Sequence, residues 1–190
     1  MPLSTAENRT FLNRRTIVSE GYQCDNGYLQ VEAELIDTRG SESTNPWRGT
    51  VEPGDPVHRM SLRITLDPAL IIRDIEASTD NAPFPACRDV APNLKALIGL
   101  QITRGFKRNA RARIGGPLGC THLLAALEVI AATAMQTAAA AVGGDRSRKF
   151  FAPLSGTDPS RPPLIDSCKG YAADGPVVER YWPVHFRPRS

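Results

Sequence analysis

Gly119-Cys120-Thr121-His122 sets a thiol and an imidazole two residues apart, just after Ile114-Gly115-Gly116-Pro117 and just before an Ala/Leu-rich run. A helix opening there leaves its first four N–H groups without intrahelical partners and adds the positive end of its dipole. That environment lowers a thiol pKa below its free value of about 8.5. It equally favours an anion, whether a substrate carboxylate, a phosphate or a developing oxyanion. Residues two apart inside a helix diverge by about 200°. Cys120 and His122 therefore converge only if Cys120 precedes the helix proper.

Cys87 repeats this setting, between the Pro-rich turn Asn81-Ala82-Pro83-Phe84-Pro85-Ala86 and a helical pattern. His58 shares a strand face with Met60 and so lies at the margin of the core. Cys87, Cys120, His58 and His122 make a Cys2His2 donor set suited to zinc or another divalent metal, although their spacing matches no finger signature. Without a metal, Cys120, His122 and His58 supply a thiolate and proton-transfer groups. Each residue also has a plain structural reading, with Thr121 as helix N-cap and the cysteines as small buried apolar groups. Cys168 is a further possible member of the set, whereas Cys24 falls in a hairpin turn.

The basic run Arg104, Lys107, Arg108, Arg111 and Arg113 leads directly to the Gly-Gly turn. It is either a solvated face or a means of steering an anion to the helix mouth. On the second view Arg104, Arg111 and Arg113, with the backbone at Gly116 and Gly119, bind substrate. Only Phe106 interrupts the run, so the aromatic interleaving of nucleic-acid surfaces is missing. No Gly-x-Ser-x-Gly, phosphate-loop, dinucleotide or His-Glu-x-x-His pattern is present.

The elements that must position these residues follow from periodicity. Arg15–Tyr22 and Tyr28–Ile36 alternate as strands around Asn26-Gly27, a hairpin signal. In the second of them Leu29, Val31, Ala33 and Leu35 share one face. Residues 38–56 are polar and rich in Gly, Ser and Pro, which predicts a long loop. Residues 57–66 form a half-buried strand, and Asp67-Pro68-Ala69 turns the chain into a partner strand, Leu70–Ala77. Pro92 suits a short helix carrying Leu94, Leu97 and Ile98, and a second short helix falls within Gly99–Arg113. The clearest helix is Thr121–Val142, closed by Gly143-Gly144, with a connector over Asp145–Pro163 and a strand at Val177–Trp182.

The expected fold is therefore α+β, a single domain whose antiparallel sheet of two hairpins packs on a few helices. Residues 1–13 form a flexible leader, and residues 14–190 the domain, with a long C-terminal extension from about 145. At 190 residues, 41% hydrophobic and 23% charged, one well-filled domain accounts for the chain. The net charge of +3 is too mild to require nucleic acid. The N-terminal residues lack the pattern of a signal peptide, and no apolar run is expected to span a bilayer. A cytoplasmic location follows, in which four cysteines serve as thiols or ligands.

The chain resembles the bacterial family DUF2889, a domain of unknown function. The matching segments are Asp25-x-Gly27, Leu35-x-Asp37-Thr38, Gly54-x-Pro56-x-His58-x-Met60-x-Leu62-Arg63 and Pro83-Phe84-Pro85-x-Cys87. They continue through Gly115-Gly116-x-x-Gly119-Cys120-Thr121-His122-Leu123 to Cys168 and Asp174-Gly175. The resemblance implies a bacterial protein of a kind often encoded among acyl or aromatic catabolism genes. A more remote likeness is to NifU/IscU and SufE-like scaffold folds, in which a cysteine at a helix start and another opening the last helix correspond to Cys87 and Cys120. The scaffold's first cysteine has no counterpart, because Pro56-x-His58 occupies that region.

Taken together, the residues point to a small-molecule catabolic enzyme, a lyase or hydrolase acting on an anionic aromatic or acyl compound. Its Cys/His site would hold zinc or another divalent metal. The alternatives are a metal or iron–sulfur carrier and a non-catalytic binding module. The implied partner is a small anionic molecule, with neither nucleic acid nor membrane. Association of copies through the alanine-rich helix is left open.

Overall fold

A computed structural model describes residues 3–103, 105–141, 161–162 and 165–189. Its centre is a four-stranded antiparallel sheet in the order β1-β2-β5-β6, formed by β1 (Asn13–Gln23), β2 (Leu29–Arg39), β5 (Pro56–Leu66) and β6 (Ile72–Asn81). The α+β class and the two hairpins agree with the sequence pattern. Asn26-Gly27 makes the first turn: Gly27 takes φ +80°, and the Tyr28 N–H donates to the Asn26 side chain. The predicted long loop contains a small hairpin of its own, β3 (Ser43–Asn45) and β4 (Gly49–Val51). The fourth strand starts and ends later than Leu70–Ala77. Its entry is fixed by Asp67, whose carboxylate accepts from the Ala69 and Ile71 N–H groups and from Arg73.

One face of the sheet is covered. Helix α2 (Thr121–Ala141) lays Leu123, Ala126, Leu127, Ile130, Ala134 and Ala138 onto it, a helical stripe that meets Val31, Ala33, Leu62 and Ile64. The close seating needs small residues. A Cβ on Gly21 of β1 would lie 1.7 Å from Thr137 Oγ1. By length and composition α2 could cross a membrane, contrary to the expectation that no run would; in the fold its buried stripe is part of the core.

A 3-10 segment, Pro85–Leu97, and helix α1 (Phe106–Ile114) close one side of this core through Leu94, Leu97, Phe106, Ala110 and Ile114. Pro92 is tolerated because it lies in this 3-10 segment and interrupts no α-helical ladder. The expected strand at Val177–Trp182 is instead helix α3 (Pro176–Tyr181). Pro176 opens it, and Val178 and Trp182, one helical turn apart, pack with Ile165 in a second small cluster. The leader ends at Asn13, where β1 begins. Gly143-Gly144 and nearly all of the 145–163 connector lie outside the described residues.

Candidate functional site

The core-facing alternation of β2 continues past Leu35 to Asp37, and that of β5 runs back from Met60 to His58. Register makes these positions meet: Arg15 pairs with Asp37, and Asp37 pairs with His58. Three side chains thus form one row across three strands, at the end of the covered face. The β2/β5 register shifts between Asp37 and Thr38, so the row stands where regular pairing stops.

Helix α2 brings the fourth member. The Leu124 N–H donates to the Cys120 carbonyl, so Cys120, not Thr121, occupies the cap position. His122 then falls in the first turn and lies over the row. The approach to the helix is tightly packed: a Cβ on Gly119 would sit 1.7 Å from the Ile114 carbonyl oxygen, and Gly116 takes φ +59°. These glycines fix the chain path into Cys120 and His122.

Arg15 holds Asp37 bidentately, Nε to Oδ1 at 2.7 Å and Nη2 to Oδ2 at 2.8 Å. Oδ2 also lies 3.0 Å from His58 Nδ1 and 3.3 Å from His122 Nε2. The two imidazoles stack with ring centroids 3.8 Å apart and planes 29° from parallel. His58 Nδ1 is buried and, despite the short separation from Oδ2, is out of line for a hydrogen bond and has no other partner. The Cys120 thiol fits between two groups, 3.7 Å from His122 Nδ1 and 4.0 Å from Met60 Sδ.

Electrostatics keeps the carboxylate charged and the imidazoles neutral. Burial pushes Asp37 up, but the hydrogen bond and charge of Arg15 do most to outweigh it and hold the carboxyl below the usual carboxylate range. Burial lowers His58, and Asp37 offsets this only in part. His122 is lowered by burial, then by His58 and Arg15. A charged carboxylate beside two neutral imidazoles is the protonation state a metal ion requires. One donor atom each from Asp37, His58 and His122 lie within 4.8 Å of one another. Bonds of 2.0–2.1 Å to a tetrahedral zinc would separate two donors by about 3.3 Å, close to the distances from Oδ2.

The predicted site residues therefore divide. His58, His122 and Cys120 converge. Cys87 joins no cluster of three donors among the described residues; its N–H closes the Phe84 turn at the start of the 3-10 segment. Cys168 is exposed, before a 3-10 turn near the second small cluster, and Cys24 lies in the β1–β2 turn. Arg113 donates to the Ala96 and Ile98 carbonyls, and Lys107 pairs with Glu128. These bonds fasten α1 to its neighbours. Arg111 is exposed on the same helix, and Arg104 lies outside the described residues. Asp37 and Arg15 were missed, although the β2 alternation, extended by two residues, points to Asp37.

The fold and this row define an α+β protein with a carboxylate and two imidazoles gathered at one end of its sheet. Residues 13–136 match the family described as "Protein of unknown function (DUF2889)", and the chain belongs to that family. No curated protein and no solved structure matches the chain. The matched span contains Arg15, Asp37, His58, Cys120 and His122. It stops short of α3 and the second cluster.

Proposed function

We propose that the protein is a metal-dependent small-molecule enzyme, a hydrolase or lyase, in which Asp37, His58 and His122 hold one divalent transition-metal ion, zinc before others. The observation that carries it is the convergence of His58 Nδ1 and His122 Nε2 on Asp37 Oδ2, with His58 Nδ1 buried and 3.0 Å from that oxygen but out of line for a hydrogen bond. A buried nitrogen without a hydrogen bond costs about 1–3 kcal/mol, a cost that coordination removes. Two nitrogens and one carboxylate oxygen are the donor set of many catalytic zinc sites, which keep a position open. When bound, such an ion supplies Lewis acidity toward a substrate oxygen or a water.

The chain's own residues do the rest. Arg15 fixes the Asp37 carboxylate by a two-point contact, which sets its orientation toward the imidazoles. The N–H groups opening α2 face the cap region and favour the anionic end of a substrate. Cys120 stands behind His122 on its Nδ1 side, where a residue orients the ring. The fitting substrate is a small anionic acyl or aromatic compound acted on in the cytoplasm.

A second reading has its own observation. Cys120 Sγ to His122 Nδ1, then His122 Nε2 to Asp37 Oδ2, is the order of nucleophile, base and orienting carboxylate. The thiol also stands at the cap position of α2, beside the helix's first unpaired N–H groups. Elemental analysis of protein purified without added metal separates the two. One zinc per chain, lost in His58→Ala and kept in Cys120→Ser, supports the metal enzyme. Metal-free protein that cannot be loaded, with Cys120 alkylated far faster than Cys24 and Cys168, overturns it in favour of the thiol enzyme. A carrier would instead surrender its metal to a chelator within minutes.

A further inference from the structure

Pro83-Phe84-Pro85 lies within the span that matches the family, and the metal row does not use it. In the fold it faces the tip of the β3–β4 hairpin. Trp47 and Phe84 meet edge to face with centroids 5.2 Å apart, and both are exposed, at 65% and 47%. Large exposed aromatic groups held in fixed contact are costly to leave in water, and they suit a flat apolar ligand. The hairpin tip is also rigid: Asn45 Oδ1 accepts from the Trp47 and Arg48 N–H groups, and Arg48 Nη1 donates to the Val57 carbonyl.

The hollow beside this pair has a volume of about 170 Å³ and is lined by Trp47, Arg48, Asp80, Pro83, Phe84 and Arg88, among others. Drug-sized ligands occupy roughly 300–1,000 Å³, so this one suits a single ring. Two guanidinium groups against one carboxylate give it a net positive charge. Arg48 spends one N–H on Val57 and Arg88 one on the Asp80 carbonyl, which leaves donors on both for an anion. Its lining is one residue removed along β5 from His58: Arg48 donates to the Val57 carbonyl. Val57 precedes His58, and Asn81, another of its lining residues, is paired with Arg59, which follows His58.

We infer that this hollow is the aromatic subsite of the protein and that it takes a monocyclic aromatic carboxylate. The ring lies against Trp47 and Phe84, and the carboxylate lies at Arg48 and Arg88. The inference rests on the metal-enzyme reading for its place in catalysis, but the binding itself uses no metal donor.

The test is titration of the full chain with 4-fluorobenzoate, followed by its fluorine NMR signal, in chelator-treated and in zinc-loaded protein. Saturable binding is expected in both forms. Phe84→Ala and Arg88→Gln should each weaken it about tenfold, and neutral 4-fluorobenzamide should bind at least as weakly as that. Trp47→Ala on the exposed tip provides a third variant should Phe84→Ala fold poorly. Unsaturable binding, or wild-type affinity in all three variants, overturns the inference. Zinc uptake is measured on the same samples. A chain that takes up zinc but never binds 4-fluorobenzoate refutes the subsite alone, and one that binds 4-fluorobenzoate but cannot be loaded with zinc refutes the metal reading alone.

Discussion

His58 and His122 lie face to face, ring centroids 3.8 Å apart, although one ends a strand row and the other begins a helix far along the chain. Two imidazolium ions would repel each other in this arrangement, so the stack belongs to neutral rings. Burial lowers both, and His58 and Arg15 lower His122 further. The sheet and helix α2 are thus held together at this end by a pair of potential ligands that share one carboxylate oxygen.

Metal binding should therefore report on folding. A ligand that binds only the native state stabilises it by about 2.7 kcal/mol at a hundred times its Kd. Zinc is expected to raise the thermal midpoint of the wild-type chain and to leave that of Asp37→Ala, His58→Ala and His122→Ala unchanged. Calorimetry with and without zinc checks this. An equal rise in wild type and variants would place the metal elsewhere.

Arg15 touches no proposed ligand position except through Asp37, which makes it a positioning residue. Arg15→Gln is expected to weaken zinc affinity about 10–100-fold, the usual effect of removing a group that orients a ligand. Arg15→Lys keeps the charge but cannot make the two-point contact, so it should fall between. Competition with a chromophoric chelator gives the three constants. Identical constants would mean that Asp37 is oriented without Arg15.

Gly119→Ala tests the chain path into α2. The added methyl group would meet a backbone oxygen at 1.7 Å, and backbone cannot rotate aside as a side chain can. Overpacking of this kind costs about 1–3 kcal/mol. Denaturant unfolding should show that loss, and zinc affinity should fall with it because Cys120 and His122 shift together. A variant with unchanged stability would show that this turn yields freely.

Asp67 gives the acid dependence. Burial pushes it up, but the Ile71 N–H, Arg73 and the Ala69 N–H outweigh burial and hold its carboxyl below the ordinary range. A depressed folded pKa contributes stability that is complete above the unfolded value of about 3.9 and is lost as pH falls through the folded value. Asp67→Ala should cost about 2 kcal/mol at pH 7, the scale of hydrogen bonds to a charged group. The gap from wild type should narrow below pH 4, as followed by denaturant unfolding across pH. A gap that stays constant with pH would remove the carboxylate from the account.

Much of the frame is legible in the residues. Alternation in β2 and β5, the Asn-Gly turn and the alanine-rich helix each state their structure locally. Cys120 and His122 at a helix mouth and His58 at a strand end follow from the same patterns. Asp37 does not, because regular alternation gives way after Ile36 to the polar run Asp37-Thr38-Arg39. Arg15 was beyond reach for another reason. Its role exists only through register, and register is a relation between strands that no single segment contains. For Cys87 the analogy fails: a Pro turn before a helix resembles the Cys120 setting, but the segment is a 3-10 helix packed on β6, and Cys87 joins no cluster of three donors among the described residues. In α3, Val177-Val178 alone favours a strand, whereas Pro176 and the packing of Val178 with Trp182 decide for helix.

The register break after Asp37 has an evolutionary consequence. Between Asp37 and His58 the chain leaves the sheet, builds the β3–β4 hairpin that carries Trp47, and returns. The strands on either side hold both ends of this excursion, so its length and tip can be rewritten without moving either anchor. On the proposed reading, ligand preference is set by the excursion and metal binding by the anchored row, so the two can change independently.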